Sequence, residues 1–205
     1  RLAELMPVET AIKHALRHLP KWMAPKRMPT SRIFWPGKNI LQPQPLGVAG
    51  VIAPWNYPLQ LTLAPSVGVI AAGNRVMLKP SELVPEFSSL LQRLIAEKFA
   101  DDEIVVVTGG VDVSRDFCAL PFDHLLFTVS IPVGKRVAEA AACNLTPVTL
   151  ELGGKSPAIL HSSADVETAA GRIAYAKLLN AGQTCIAPDY VICLRSQTET
   201  FVSAY

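Results

Sequence analysis

Residues 8 to 19 place Val8, Ile12, Ala15, Leu16 and Leu19 at three-and-four spacing, with Lys13, His14, Arg17 and His18 elsewhere. That is the pattern of an amphipathic helix. Pro20 is expected to end or kink it, because proline gives no N–H to the preceding turn. Pro20, Pro25, Pro29, Pro36, Pro43 and Pro45 then surround one β-like run, Ser31 to Trp35. An extended arm is expected there, and a domain boundary with it.

From Gly47 the texture changes. Short runs rich in Val, Ile and Leu (Val48 to Ala53, Val76 to Leu78, Ile104 to Val107, His124 to Thr128, Val148 to Leu150, Tyr190 to Leu194) alternate with segments of helical period at 59–73, 85–99, 132–142 and 165–180. Asp165 is a plausible N-cap for the last, with Glu167 in its first turn. Strand, helix, strand at this spacing predicts an α/β fold: a Rossmann-like parallel sheet with helices on both faces. Continuous apolarity in the strands predicts that both faces are covered. Ligands of such sheets bind at the carboxyl edge, where helix N-termini offer free N–H groups. The loops there contain Pro54-Trp55-Asn56-Tyr57-Pro58, Lys79-Pro80-Ser81-Glu82, Thr108-Gly109-Gly110, Thr128-Val129-Ser130 and Glu151-Leu152-Gly153-Gly154.

Composition sharpens this picture. Hydrophobic residues are 50% of the 205 and charged residues 18%, less than the roughly 25% of an ordinary domain. A large core or interface is implied. Nineteen Lys and Arg against seventeen Asp and Glu leave +2, too even to gather phosphates along a nucleic acid. Cys118, Cys143, Cys185 and Cys193 show neither zinc spacing nor a disulfide framework, so a reducing, cytoplasmic setting is expected. The least charged stretch, Pro54 to Asn74, carries too many polar and proline residues to span a membrane. No signal peptide is visible; the sequence opens on Arg1 and reads as an excerpt.

Several residues could carry chemistry. Cys185 ends Gly182-Gln183-Thr184-Cys185 between a helix and an apolar run, whereas Cys118, Cys143 and Cys193 sit among apolar neighbours and read as packing. A nucleophile needs a thiolate and access; a small buried hydrophobe is the competing reading of Cys185. Glu151 follows a strand and precedes two glycines, where a base could activate water or a surface carboxylate could simply stand. Asn56, between two prolines, is either a preorganised oxyanion donor or a turn residue. Lys79 and Glu82 stand where a Rossmann-like site meets the adenosine ribose, or else open a helix. No G-x-G-x-x-G occurs. Gly134-Lys135 lacks the rest of a P-loop, and His14 and His18 lack a third metal ligand in register.

Pro54 to Pro58, Leu78-Lys79-Pro80-Ser81-Glu82, the stretch Asn144 to Pro157 containing Glu151-Leu152-Gly153-Gly154-Lys155, and Asn180-Ala181-Gly182-Gln183-Thr184-Cys185 together resemble the NAD(P)-dependent aldehyde dehydrogenase superfamily. The resemblance runs from about residue 1 to 205. Lys21-Trp22-Met23, Gln44-Pro45-Leu46-Gly47 and Cys185 to Tyr190 are most similar to the branch of coniferyl and of fatty or aromatic aldehyde dehydrogenases. It implies that fold, incomplete, with residues 1–29 the N-terminal helical part of the cofactor domain, 30–45 an oligomerisation arm, 46–151 the dinucleotide-binding domain and 152–205 the beginning of the catalytic domain.

The same resemblance implies Cys185 as nucleophile, Asn56 with the Cys185 backbone N–H as oxyanion donors, and Glu151 as the base for deacylation. Lys79 and Glu82 would hold the ribose, Ser130 would approach the pyrophosphate, and Ile52, Pro54 and Trp55 would line the cofactor cleft. The implied reaction takes an aldehyde to a carboxylic acid with NAD, or with NADP, in a homo-oligomer; Glu82 favours NAD by repelling a 2′-phosphate. The family's Phe-Thr-Gly-Ser stands here as Phe127-Thr128-Val129-Ser130, and the β-branched Val129 is expected to weaken dinucleotide affinity. With the chain stopping at Tyr205, the isolated 205 residues are expected to be inactive and poorly soluble. Two rivals remain: a dinucleotide-binding module without catalysis, and a thiol-dependent esterase or acyltransferase using Cys185, Asn56 and Glu151.

Overall fold

The computed structural model describes residues 2–205, except for the side chain of Val129. The chain folds as two compact units, Arg1–Glu151 and Leu152–Tyr205. The first opens with helix α1 (Leu5–Met23) and an antiparallel pair, β1 (Lys26–Met28) with β2 (Asn39–Leu41). There follow β3 (Val48–Ile52), α2 (Pro58–Ala71), β4 (Arg75–Lys79), α3 (Pro85–Ala96), β5 (Ile104–Val106), α4 (Val111–Cys118), β6 (His124–Val129), α5 (Ile131–Ala142) and β7 (Val148–Leu152).

The sheet has the order β5-β4-β3-β6-β7. β3 pairs in parallel with both β4 and β6, and β4 with β5. The α/β fold with a parallel sheet is therefore as the hydrophobic runs predict, and alternation along β3 shows why both faces are covered. Val51 joins Val76, Leu78, Ile104 and Val106 in a buried cluster closed by Leu63 and Val69 of α2 and by Phe87, Leu91 and Ile95 of α3. Burying each such side chain contributes about 1.5–3 kcal/mol. On the opposite face Gly50 leaves room for Leu125, Phe122 and Phe117: a Cβ there would lie 2.8 Å from Leu125 and Phe122 and 3.0 Å from Phe117.

Some expectations need correction. α1 does not stop at Pro20 but continues to Met23. Proline forfeits one hydrogen bond close to the helix end, while the ring of Trp22 stacks on His18 at 5.7 Å and lies 5.5 Å from His14. The run Ser31 to Trp35 is no strand; Arg32–Phe34 forms a 3₁₀ turn, with Phe34 N–H donating to the Ser31 carbonyl at 3.0 Å. Apolar content there sits in exposed side chains, which give a strand nothing to bury. Coverage also fails in two runs: β7 has no buried residue, as befits a sheet edge, and the strand within Tyr190 to Leu194 is largely exposed. Cys143, read as packing, is exposed at the end of α5.

The second unit holds β8 (Ser156–Ile159), α6 (Val166–Leu178), β9 (Pro188–Ile192) and α7 (Thr198–Ala204), with β8 and β9 parallel. Asp165 caps α6 as its position predicts, its carboxylate accepting from Thr168 N–H at 3.2 Å and Thr168 Oγ1 at 2.7 Å. Those bonds hold its carboxyl below the usual carboxylate range. Among the described residues no helix is long and apolar enough to cross a membrane.

Candidate functional site

From β3 the chain moves outward through β4 and β5, then returns to β3's other side as β6. That reversal opens a crevice at the carboxyl ends of the strands. A cleft of about 700 Å³ lies there, lined by Ile52, Pro54, Trp55, Lys79, Glu82 and Phe127 from the sheet edge. Its far wall comes from α4 and α5, through Val111, Ser114, Arg115, Val133 and Arg136. Five sequence-predicted residues thus meet in one cavity.

Lys79 ends β4 with its side chain only 1% exposed. Its Nζ donates to the Pro80 carbonyl at 2.9 Å, and Glu82 Oε2 stands 3.9 Å away. Burial pulls the ammonium below the ordinary lysine value, with Glu82 and Cys118 opposing. The loop presenting it is held by its own hydroxyls: Ser81 Oγ accepts from Leu83 N–H at 3.2 Å, and Ser88 Oγ donates to the Ser81 carbonyl at 3.1 Å. Cys118 lines the same cavity, and burial pushes its thiol up. Apolar walls beside one buried cation suit a ligand with an apolar body and hydrogen-bond acceptors.

The remaining predicted residues are not among the cleft-lining residues. Asn56, half-buried, follows Trp55 at the entry to α2. Ser130 is the N-cap of α5, its carbonyl accepting from Gly134 N–H at 2.9 Å, and it is not among the cleft-lining residues. The expectation for Val129 concerns a side chain outside the described residues. Glu151 is exposed near the end of β7. Cys185 belongs to the second unit, exposed on the segment between α6 and β9.

Sequence reasoning missed α4, and with it Val111, Arg115 and Cys118 in the cleft wall. The helix is eight residues long and follows two glycines, so it reads as loop. The signal that could have found it is Val113 four residues before Phe117, with Val111 and Cys118 flanking that spacing.

A family model described as "Aldehyde dehydrogenase family" matches residues 2–205. A "Probable coniferyl aldehyde dehydrogenase" of Pseudomonas aeruginosa is 54% identical over 204 residues, which are 100% of this chain and 43% of that protein. A substrate-bound structure of Staphylococcus aureus AldH superposes with a TM-score of 0.96 at 41% identity, over 99% of this chain and 44% of the other. A Mycobacterium tuberculosis aldehyde dehydrogenase complexed with NAD+ gives 0.85 at 31% identity, over 98% and 41%. The chain thus spans less than half the length of these relatives.

Proposed function

Because the chain belongs to the aldehyde dehydrogenase family, we propose that it carries the cofactor cleft and the nucleophile of an enzyme oxidising an aldehyde to a carboxylic acid with NAD(P). The observation that carries this reading is the cleft at the sheet's carboxyl edge, with buried Lys79 beside Glu82. Lys79 would donate to the adenosine ribose hydroxyls and Glu82 would accept from them, while Ile52, Pro54 and Trp55 would pack on the cofactor and Ser130, at the start of α5, would approach its pyrophosphate. The buried ammonium, the nearby carboxylate and the apolar wall suit such a group.

The thiolate of Cys185 adds to the aldehyde carbon to give a thiohemiacetal. Asn56 and the Cys185 backbone N–H donate to the oxyanion as it forms. A dinucleotide held in the cleft would supply the oxidant, as hydride acceptor, so that Cys185 would be left as a thioester. Glu151 then takes a proton from the water that attacks the thioester, releasing the acid and restoring the thiol. NAD is preferred, since the Glu82 carboxylate repels a 2′-phosphate. The 54% identity to the Pseudomonas aeruginosa protein supports an aromatic, coniferyl-like aldehyde as substrate.

The free state of all four cysteines supports a reducing, cytoplasmic setting. Assembly into a homo-oligomer is supported by exposed Ile33, Phe34, Trp35 and Ile40 on and beside the β1–β2 pair. The test is aldehyde-dependent nicotinamide reduction by the full-length protein. Loss in Cys185→Ala with dinucleotide binding intact is expected; full activity in that variant overturns the reading.

A further inference from the structure

β9 contains a residue that its neighbour does not match. Ser156 stands opposite Pro188 and Pro157 opposite Tyr190, so Asp189 between them is the extra residue of a bulge. Bulges turn a side chain out of the regular alternation and concentrate near functional sites. Here the carboxylate is met by two lysines: Lys155 Nζ donates to Oδ1 at 3.2 Å and Lys177 Nζ donates to the same oxygen at 3.4 Å. These contacts, the Lys155 hydrogen bond first, hold the Asp189 carboxyl below the usual carboxylate range.

Lys177 stands at the margin of the segment that bears Cys185, and Lys155 stands just before β8. Lys177 lies in the last turn of α6 and Asp189 at the start of β9, so their pairing closes the neck of the loop between them. Lys155 follows Gly153-Gly154, and a Cβ on Gly154 would lie 4.0 Å from the Cys185 carbonyl oxygen. Inside the loop, Asn180, Ala181 and Gly182 have φ of 52°, 54° and 77°. Consecutive left-handed residues, two of them not glycine, persist only when their surroundings hold them. Turn bonds hold some of it: Gln183 N–H donates to the Asn180 carbonyl at 3.1 Å, and Ala187 N–H to the Thr184 carbonyl at 3.1 Å. Solvent-exposed ion pairs contribute little to global stability, so a bulge that aims one carboxylate at two lysines calls for a local role.

We propose that Asp189 is a positioning residue for Cys185: its carboxylate clasps the neck of the strained loop through Lys177 and ties it, through Lys155, to the glycine pair behind the nucleophile. This rests on the reading of Cys185 as nucleophile. The test compares Asp189→Asn, Asp189→Glu and Lys177→Met in the full-length protein. Asp189→Asn is expected to lower kcat about 10- to 100-fold, the scale of a reacting atom displaced by roughly 1 Å. The dinucleotide KM should shift less than about twofold, because the lost interaction acts on the chemical step.

Asp189→Glu restores most of the rate, and Lys177→Met gives a partial loss. Should Asp189→Asn fail to fold, Lys177→Met carries the same comparison. Wild-type kcat in the variant tested overturns the proposal, as does a rate loss that tracks a lowered melting temperature and is not rescued by glutamate. Cys185→Ala separates the two readings. An inactive Cys185→Ala beside a fully active Asp189→Asn removes only the clasp, whereas an active Cys185→Ala removes the nucleophile.

Discussion

Replacing Lys79 by methionine keeps the length and apolar stem of the side chain but deletes its charge. The ammonium has three N–H donors, one of which goes to the Pro80 carbonyl at 2.9 Å. Glu82 at 3.9 Å lies beyond hydrogen-bond length, so two donors remain for a ligand in the cleft. One charged hydrogen bond contributes about 1.5–3 kcal/mol, so Lys79→Met should weaken NAD binding roughly 10- to 150-fold. Stability should behave differently. Burying a methionine in place of a charge is neutral to favourable, and the lost bond to Pro80 costs about 1 kcal/mol. These oppose each other, so the melting temperature should stay within about 4 °C at neutral pH.

The pH dependence supplies an independent check. Burial lowers the folded-state pKa of Lys79, so between that value and the ordinary lysine value the unfolded chain binds more protons. Stability contributed by this group therefore rises with pH through that window, and Lys79→Met lacks the rise. Calorimetric titration with NAD and thermal melts at neutral and alkaline pH measure both effects. An unchanged dissociation constant would falsify the assignment of Lys79 to the cofactor. A wild-type alkaline rise that persists in the variant would show that another group is responsible.

Glu151→Gln should remove the base for thioester hydrolysis and cut steady-state turnover by about 10²- to 10⁴-fold, while rapid-quench kinetics retain a burst of one product equivalent; a lost burst would instead place Glu151 in acylation. Gly50→Ala forces a methyl to 2.8 Å from Leu125 and Phe122 and should destabilise the first unit by about 1–3 kcal/mol, read as a lower denaturation midpoint; an unchanged midpoint would mean that those side chains can withdraw at no cost. Asp165→Ala should destabilise the start of α6, seen as faster amide exchange at Thr168, with no change in NAD binding. Equal exchange in variant and wild type would show that the cap is dispensable.

The sheet was legible because β3, β4 and β5 bury both faces, and only continuous apolar runs of Val, Ile and Leu satisfy such positions. The Lys79 loop was legible for a related reason: a lysine directly after an apolar strand has few places to go except the carboxyl edge. α4 was hidden because eight residues after two glycines fill barely two turns and leave too short a period to read. The Arg32–Phe34 turn was misread because apolar residues there carry no information about burial; Ile33 is 87% exposed. Pro20 misled because the cost of a missing N–H depends on how much helix follows it, and only one turn does.

Four cysteines of identical chemistry end in four environments, and this contrast narrows which of them can act. Cys118 lines the first unit's cleft, but burial raises its thiol, which disfavours the thiolate a nucleophile needs. Cys143 is exposed at the end of α5, its Sγ 3.8 Å from the Glu139 carbonyl of the preceding turn. Cys193 is half-buried, 3.8 Å from Thr198 Oγ1. Cys185 is exposed on a segment entered through three consecutive left-handed residues, Asn180, Ala181 and Gly182, whereas near exposed Cys143 a single such residue, Leu145, follows the helix end. Such a backbone needs holding, by the turn bonds within the loop and, in the proposed clasp, by the bulged aspartate bound to Lys155 and Lys177 at its neck. In the proposed reaction, exposure would let the thiol react and the held backbone would decide where it points.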